Sequence, residues 1–375
     1  MARRLLPCCA GSEGVVVMVI ESQLPDPTAL YRIRDGVYAP DLLITAVAEF
    51  DLFTWLARRG PVTANLLCRE LRLAARPVDV LLTYCAALGL VDRDLGRRDE
   101  VTITPLAQTH LTAGSPFDLR PYFASLAERP TCRELAEVLR TGKPAAWATA
   151  AGVTGPDALL RGTVGPQDWS ARLDETGFAA RITAAMDARG ALLGPALAAA
   201  LDDLPVHRVL DVGGSSGIYA CALLDRRPDT NAAVFERSPI DSAARTLLTD
   251  RGYGERVEVL SGDMFHQPLP PGYDLHLYSH VLHDWDIDQV AHLIVSSYAS
   301  LPPGGWWVDH DTHVDADKRG PLPVAEYSVL LMHSTPGKCY SVAEIGDKVQ
   351  QVGFTDVRHR PTVGDRSVII ARKPG

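Results

Sequence analysis

"VLDVGGSSGIYACALL" occupies residues 209–224. A short β-rich run ending at Val212 leads into three glycines and two serines, after which an apolar helical pattern resumes. Such a turn has two explanations. It needs tight backbone geometry and nothing more, or a ligand lies against a backbone that carries no Cβ atoms there. The pattern on either side decides what kind of fold the turn belongs to.

Downstream, "HRVLDVGG", "TNAAVFER", "RVEVLSGD", "YDLHLYSH" and "GGWWVDHD" are short β-rich runs. Helical or turn stretches separate the first four, and "DIDQVAHLIVSSYASL" reads as a helix before the fifth. Strands alternating with helices predict a parallel sheet covered on both faces. "FTDVRHRP" and "SVIIARKP" predict a closing hairpin. The expected fold class is therefore α/β: a doubly wound, Rossmann-like domain over residues 191–375 with an antiparallel edge.

Upstream, residues 30–190 read as mainly helical. "APDLLITAVAEFDLFTWLARRG" puts Leu43, Val47, Phe50 and Leu56 near one helical face and stops at Gly60 and Pro61. "TANLLCREL" and "RPVDVLLTYCAALGL" read as two further helices, and "LVDRDLGRRDEVTITPLA" as a hairpin with a charged tip. Helices followed by a hairpin form a winged-helix arrangement. Its second short helix carries Val80, Leu81, Leu82, Tyr84 and Leu88, whereas a helix that reads bases needs Arg, Lys, Asn or Gln. The domain is expected to pack or dimerise, with a non-catalytic winged-helix binding protein as the remote alternative. "CRELAEVLRTG" is helical, "PAAWATAAGVTGPDALLRGTVGPQDW" is loop-rich, and a long alanine-rich helix runs from Phe178.

The 375 residues suffice for two domains, and 46% hydrophobic with 22% charged residues is an ordinary globular composition. A net charge of −9 with no local basic patch argues against nucleic acid as a partner. Seven cysteines, an odd number without a CxxC pair, point to a reducing cytoplasm. Residues 1–29 are read as a disordered extension, with Met18 an alternative start. Pro7 and Glu13 break the apolar run that a signal peptide would need. No stretch elsewhere is long and apolar enough to span a bilayer.

Ligands of doubly wound sheets sit outside the carboxyl ends of the strands. Gly213, Gly214 and Gly217 occupy that place after the first strand, where a dinucleotide is the obvious competitor. Asp211, inside the strand end, would meet a pyrophosphate unfavourably and suits an ammonium. Glu236 ends the second strand where an acid grips ribose hydroxyls. Asp263 and Met264, in "GDMF", are placed to receive an adenine. Ammonium, ribose and adenine together describe S-adenosylmethionine.

At this point "DVGGSSG", "GDMF", "HVLHDWDIDQ" and "GFTDV" make the chain resemble the S-adenosylmethionine-dependent small-molecule O-methyltransferases of the caffeate and hydroxyindole type, including their bacterial natural-product branch. The resemblance covers roughly residues 30–372. It implies a homodimer formed by the N-terminal domain, and a general base at His283, in "HVLHDW". A histidine capping the next helix is the plainer alternative. The resemblance also implies that Phe178, Ile182 and Met186 cover the acceptor, with Met332, His333 and His280 closing other sides, although a helical apolar stripe of this kind can equally be core. Arg189 either anchors an acidic acceptor group or faces solvent.

The chain departs from the family at several positions. In plant relatives two glutamates flank the base. Here His310 or Asp311 stands at the first and Cys339 at the second, while Ser279 replaces a lysine near the cofactor. No metal is expected. Zn or Fe held by His283, His310 and His333 would support the alternative of C-methylation of an α-keto acid, and metal-free methylation of a phenol ring is a further one.

Overall fold

The computed structural model describes residues 25–145 and 176–375. The first 24 residues, and nearly all of the loop-rich stretch expected after residue 144, lie outside the described residues. The first helix, α1 (Thr28–Asp35), begins two residues inside the expected extension.

Two helices replace the single one read from "APDLLITAVAEFDLFTWLARRG": α2 (Ala39–Ala48) and α3 (Leu52–Arg59). Asp51 between them adopts φ 43°, a left-handed conformation that no helix continues through. Strand β1 (Val62–Thr63) follows, and the Thr63 hydroxyl accepts from Leu66 N–H to cap α4 (Ala64–Leu71). In α5 (Ala75–Ala87), Val80, Leu81, Leu82 and Tyr84 are buried, so this helix packs in the core as its apolar residues lead one to expect. The hairpin forms as β2 (Val91–Asp94) and β3 (Glu100–Ile103), with β1 completing a three-stranded antiparallel sheet in the order β1-β3-β2. Helices α6 (Pro105–His110), α7 (Arg120–Ala124) and α8 (Pro130–Thr141) finish this unit.

The long helix α9 (Thr176–Ala200) contains the boundary placed at residue 190. Gly190 and Gly194 let it pack closely on α10 (Ile218–Arg226): a Cβ on Gly190 would stand 2.2 Å from Ile218 Cγ2, and one on Gly194 2.8 Å from Ala222 Cβ. The sheet comprises β4 (Arg208–Val212), β5 (Asn231–Glu236), β6 (Val257–Ser261), β7 (Leu275–Ser279), β8 (Trp306–Asp311), β9 (Thr355–Pro361) and β10 (Ser367–Arg372). Their order is β6-β5-β4-β7-β8-β10-β9, parallel except for β10, which runs antiparallel to both its neighbours. Helix α11 (Ile240–Asp250), α12 (Ile287–Ser300) and α14 (Val342–Val352) complete the layers. The strand order reverses at β4, so the crevice beside its carboxyl end is where a ligand belongs.

Helix α13 (Leu322–Ser334) behaves differently. It leaves the sheet domain and buries Ala325, Val329 and Met332 in the core of the helical unit. None of the described helices is long and apolar enough to cross a membrane.

Candidate active site

The turn after β4 answers the question its glycines raised. Gly213 (φ 67°) and Gly217 (φ 72°) occupy the left-handed region, where glycine meets no penalty. Gly217 is a packing position, since its Cβ would meet Leu248 and Val234 at 3.0 and 3.1 Å. Gly214 passes directly over Asp211, and its Cβ would stand 2.4 Å from that carboxyl carbon. Asp211 is fully buried, and neither of its oxygens has a hydrogen-bonding partner. Burial, reinforced by the Glu236 charge, pushes its carboxyl up to about 7.

Glu236 ends β5 and accepts from Ser215 N–H at 3.2 Å and Arg237 N–H at 2.8 Å. Burial pushes it up to about 7 in spite of those two bonds. Asp263 accepts from Phe265 N–H at 2.9 Å and pairs with His266 at 2.9 Å. Its partial burial raises its carboxyl, and the Phe265 and His266 contacts outweigh that and hold it low. Met264 Sδ lies 3.9 Å from the position a Cβ on Gly213 would take. The three strand ends therefore do converge on one crevice. A buried acid without a donor, facing glycine backbone, fits a cationic group of a ligand. The donor set suits the ammonium and ribose of S-adenosylmethionine.

The fourth parallel strand end holds the histidines. Ser279 shares a hydrogen bond of 3.3 Å with His310 Nδ1. His280 adopts φ 57°, a strained conformation for a side-chain-bearing residue. Both its ring nitrogens lack hydrogen-bonding partners, although Nδ1 stands 3.4 Å from Asp311 Oδ1. His283 lies in the short turn Leu282–Asp284. Its Nδ1 is 2.5 Å from Asp311 Oδ1, and its Nε2 is 3.7 Å from Asp284 Oδ1. Burial alone would lower the His283 pKa, but the Asp311 and Asp284 charges outweigh it and raise the value above that of an ordinary histidine. Asp311 is likewise held well below the carboxylate range: His283 and His280 overcome its burial. His310, buried with Nε2 unpartnered, is pushed down to about 3 by desolvation.

Other expected site residues lie elsewhere. His333 is buried against Glu134 of α8, with Nε2 2.8 Å from Oε2, and its ring lies tilted at 45° to that of Tyr38, 4.5 Å away. Met332 is fully buried in the helical core rather than exposed to an acceptor. Both depart from expectation because α13 crosses into the other unit. The group of described residues able to hold a metal is His280, His283 and Asp311, whose ligand atoms lie within 4.8 Å of one another. That set shares only His283 with the one read from the sequence. On α9, Phe178 is buried while Ile182 and Met186 are half-buried.

Four residues carried no sequence signal. The rings of Tyr219 and Tyr327 flank the histidines, Tyr219 at 5.4 Å from His310 and Tyr327 at 5.7 Å from His283. Gly337 sits where a Cβ would be 2.0 Å from the His283 carbonyl oxygen. Arg76 of α5 donates to the carbonyls of Met332, Thr335 and Gly337 at 3.2, 3.2 and 2.8 Å, tying the loop over His283 to the helical unit.

Comparison with known proteins identifies the family. Residues 31–113 match the O-methyltransferase dimerisation domain, and residues 132–355 the O-methyltransferase domain. The 3-hydroxy-5-methyl-1-naphthoate 3-O-methyltransferase of Streptomyces sahachiroi is 30% identical over 336 residues, covering 88% of this chain and 90% of that one. A solved O-methyltransferase family 2 protein from Planctomyces limnophilus, in complex with apigenin, is 29% identical with a TM-score of 0.79, covering 94% of this chain and 98% of that one. The S-adenosylmethionine-dependent methyltransferase SibL is 27% identical with a TM-score of 0.52, covering 93% and 100%. The chain accordingly belongs to the O-methyltransferase family and is an S-adenosylmethionine-dependent enzyme of it.

Proposed function

We propose that this enzyme methylates a hydroxyl of a small natural-product acceptor, with His283 as general base. The 2.5 Å contact between His283 Nδ1 and Asp311 carries the reading. A carboxylate held well below its usual range is ionised and can only accept, so the Nδ1 proton points at Asp311 and Nε2 is left as the basic nitrogen. Asp311 thus stands in the orienting role that a glutamate plays in the family's plant members.

When bound, S-adenosylmethionine supplies a methyl group made electrophilic by its sulfonium. Asp211 would hold its ammonium, Glu236 its ribose hydroxyls, and Asp263 with Met264 its adenine, beside Gly213, Gly214, Gly217 and Ser279. His283 Nε2 takes the proton of the acceptor hydroxyl as its oxygen attacks, and the resulting imidazolium is stabilised by Asp311 and Asp284. Ile182 and Met186 cover the acceptor and exclude water. The naphthoate enzyme of Streptomyces sahachiroi acts, by its name, on a hydroxyl of an aromatic acid, which supports an aromatic acceptor here.

The match to the dimerisation domain supports a homodimer, and so do exposed apolar side chains of the helical unit such as Ile33 and Tyr122, 75% and 77% accessible. Five described cysteines are free thiols, in keeping with a cytoplasmic setting.

Turnover of His283→Ala, with a panel of hydroxylated aromatics and keto acids assayed with and without chelator, tests the proposal. The variant should lose about 10²–10⁴-fold in rate while cofactor affinity stays within about twofold. The wild type should keep its activity in chelator and form methyl ethers. An active variant would remove the base. Activity abolished by chelator and restored by Zn or Fe would assign His280, His283 and Asp311 to a metal instead, and favour C-methylation.

A further inference from the structure

Helix α9 carries a stripe whose end, Arg189, acts on the histidines of the site. Ile182, Met186 and Arg189 follow one another at steps of four and three residues, so they share one face. The stripe is about 10 Å long. It is apolar for two steps and cationic at its end.

The Arg189 guanidinium lies beside the Tyr219 hydroxyl. Its Nε is buried and has no hydrogen-bonding partner, while the Tyr219 hydroxyl meets the guanidinium and no other group. Three carboxylates interact with Arg189 from a distance, those of Asp311, Asp35 and Asp284, and each faces another partner, Asp284 lying 3.7 Å from His283 Nε2. Asp311 bonds His283 at 2.5 Å, and Asp35 bonds Arg366 at 2.7 Å. No carboxylate among the described residues forms an ion pair with Arg189. Aromatic rings complete the surroundings: Tyr219 lies 6.1 Å from His280 and 5.4 Å from His310, and His280 lies 5.6 Å from His283. Both nitrogens of His280 and Nε2 of His310 are also unpartnered.

The Arg189 charge is opposed by burial and sustained by the nearby Tyr219, Tyr327, Asp311 and Asp35, without a direct ion pair. It also disfavours protonation of His280, His283 and His310, the very groups around it. A carboxylate brought from outside would give the guanidinium the direct ion pair that these groups do not, at a site otherwise lined by flat rings.

We infer that the methyl acceptor is an aromatic carboxylic acid, its carboxylate held by Arg189 and the Tyr219 hydroxyl and its ring system lying along Ile182 and Met186. The inference rests on the proposed methyl transfer and specifies its substrate class. A bicyclic aromatic acid is about as long as the stripe and would present its hydroxyl to the base. Arginine suits this position because its planar fork meets a carboxylate through two parallel hydrogen bonds.

Calorimetric binding to the protein loaded with S-adenosylhomocysteine tests the inference. The probes are 3-hydroxy-1-naphthoate and 2-naphthol, which differ only in the carboxylate. The wild type should bind the naphthoate at least about tenfold more tightly, the worth of one charge-assisted hydrogen bond. Arg189→Met should bind the two alike, within about twofold, while S-adenosylhomocysteine affinity is unchanged. Arg189→Lys, which keeps the charge, should retain part of the preference. No preference in the wild type, or a preference that survives in Arg189→Met, would overturn the inference. A fall in S-adenosylhomocysteine affinity in the variants would also overturn it, by assigning the guanidinium to the cofactor. Because the readout is binding, the result stands apart from the chemistry: a naphthoate that binds with the expected preference but is not methylated contradicts the proposed reaction alone.

Discussion

Asp211 and Glu236 weaken the fold before any ligand arrives. Each is an acid whose folded value, about 7, lies above its ordinary one, so the native state binds that proton more tightly than the unfolded chain does. Stability is therefore lost from each as pH rises from about 4 to 7. Such a cost is retained where a cation is to be received. The same shift predicts how cofactor affinity depends on pH. Ionised carboxylates bind the ammonium and ribose best, so affinity for S-adenosylhomocysteine is full above pH 7 and falls as pH drops through 7. Calorimetry should show a loss of about tenfold between pH 8 and pH 6, and a flat profile would contradict the assignment of these acids. These residues were legible in the sequence because each belongs to a strand end, and neighbouring strand ends meet at the switch point of such a sheet. Asp311 was legible only as one of two candidates. Residues 310 and 311 are adjacent on β8 and point to opposite faces, and register against β7 decides which one meets His283.

Among the elements, the loop from Thr335 to Cys339 does more than connect α13 to α14. Arg76 holds its carbonyls, and Gly337 presses against the His283 backbone. Tyr340 adds a hydrogen bond from its hydroxyl to the Trp285 carbonyl at 2.6 Å, on the far side of the same turn. Gly337→Ala would place a methyl group where the His283 carbonyl oxygen now sits, and backbone rather than a flexible side chain would have to move. We expect a roughly 10–100-fold fall in turnover from displacement of His283, with S-adenosylhomocysteine affinity nearly intact. Wild-type turnover in this variant, measured under saturating cofactor, would contradict the role given to the loop. The strands and the long helices were readable because their apolar periods of two and about 3.6 are local properties. The break at Asp51 was not, since a left-handed aspartate in an otherwise helical pattern leaves no mark on periodicity.

At the scale of the whole molecule, the two units interlock rather than meet at a linker. Asp79 of α5 gathers Arg93 at 2.6 Å, Lys318 at 2.9 Å and Lys338, and both lysines also reach Glu344 of α14 at 2.8 and 2.6 Å. Arg366 of the sheet domain bonds Asp35 of α1, and Arg319 donates to the Arg93 carbonyl at 2.8 Å. The sequence order of helices and strands identified both domains, yet it held no sign of these contacts or of the excursion of α13. The contacts of Asp79 with Lys318 and Lys338, of Arg93 with Arg319 and of Asp35 with Arg366 join residues more than two hundred positions apart, and only the folded topology brings them together. That is why the sequence alone puts His333 and Met332 in the acceptor pocket, whereas they lie on the face of α13 that packs against the helical unit. The arrangement also ties the helical unit to the proposed base, because Arg76 holds the loop that lies on His283.

The central claim is that His283, oriented by Asp311, removes the acceptor's proton. The pH dependence of kcat/KM in the wild type and in Asp311→Asn tests it most directly. A base works in its neutral form, so activity should rise with pH and level off above the His283 pKa. In the wild type that limb lies above the ordinary histidine value of 6.5, because the Asp311 charge raises it. Replacing the carboxylate removes that charge, so in Asp311→Asn the limb should move to lower pH while the plateau falls by about 10²–10⁴-fold through loss of the correct tautomer. A wild-type profile that is flat from pH 6 to 9, or an Asp311→Asn profile that matches the wild type in midpoint and height, would contradict it.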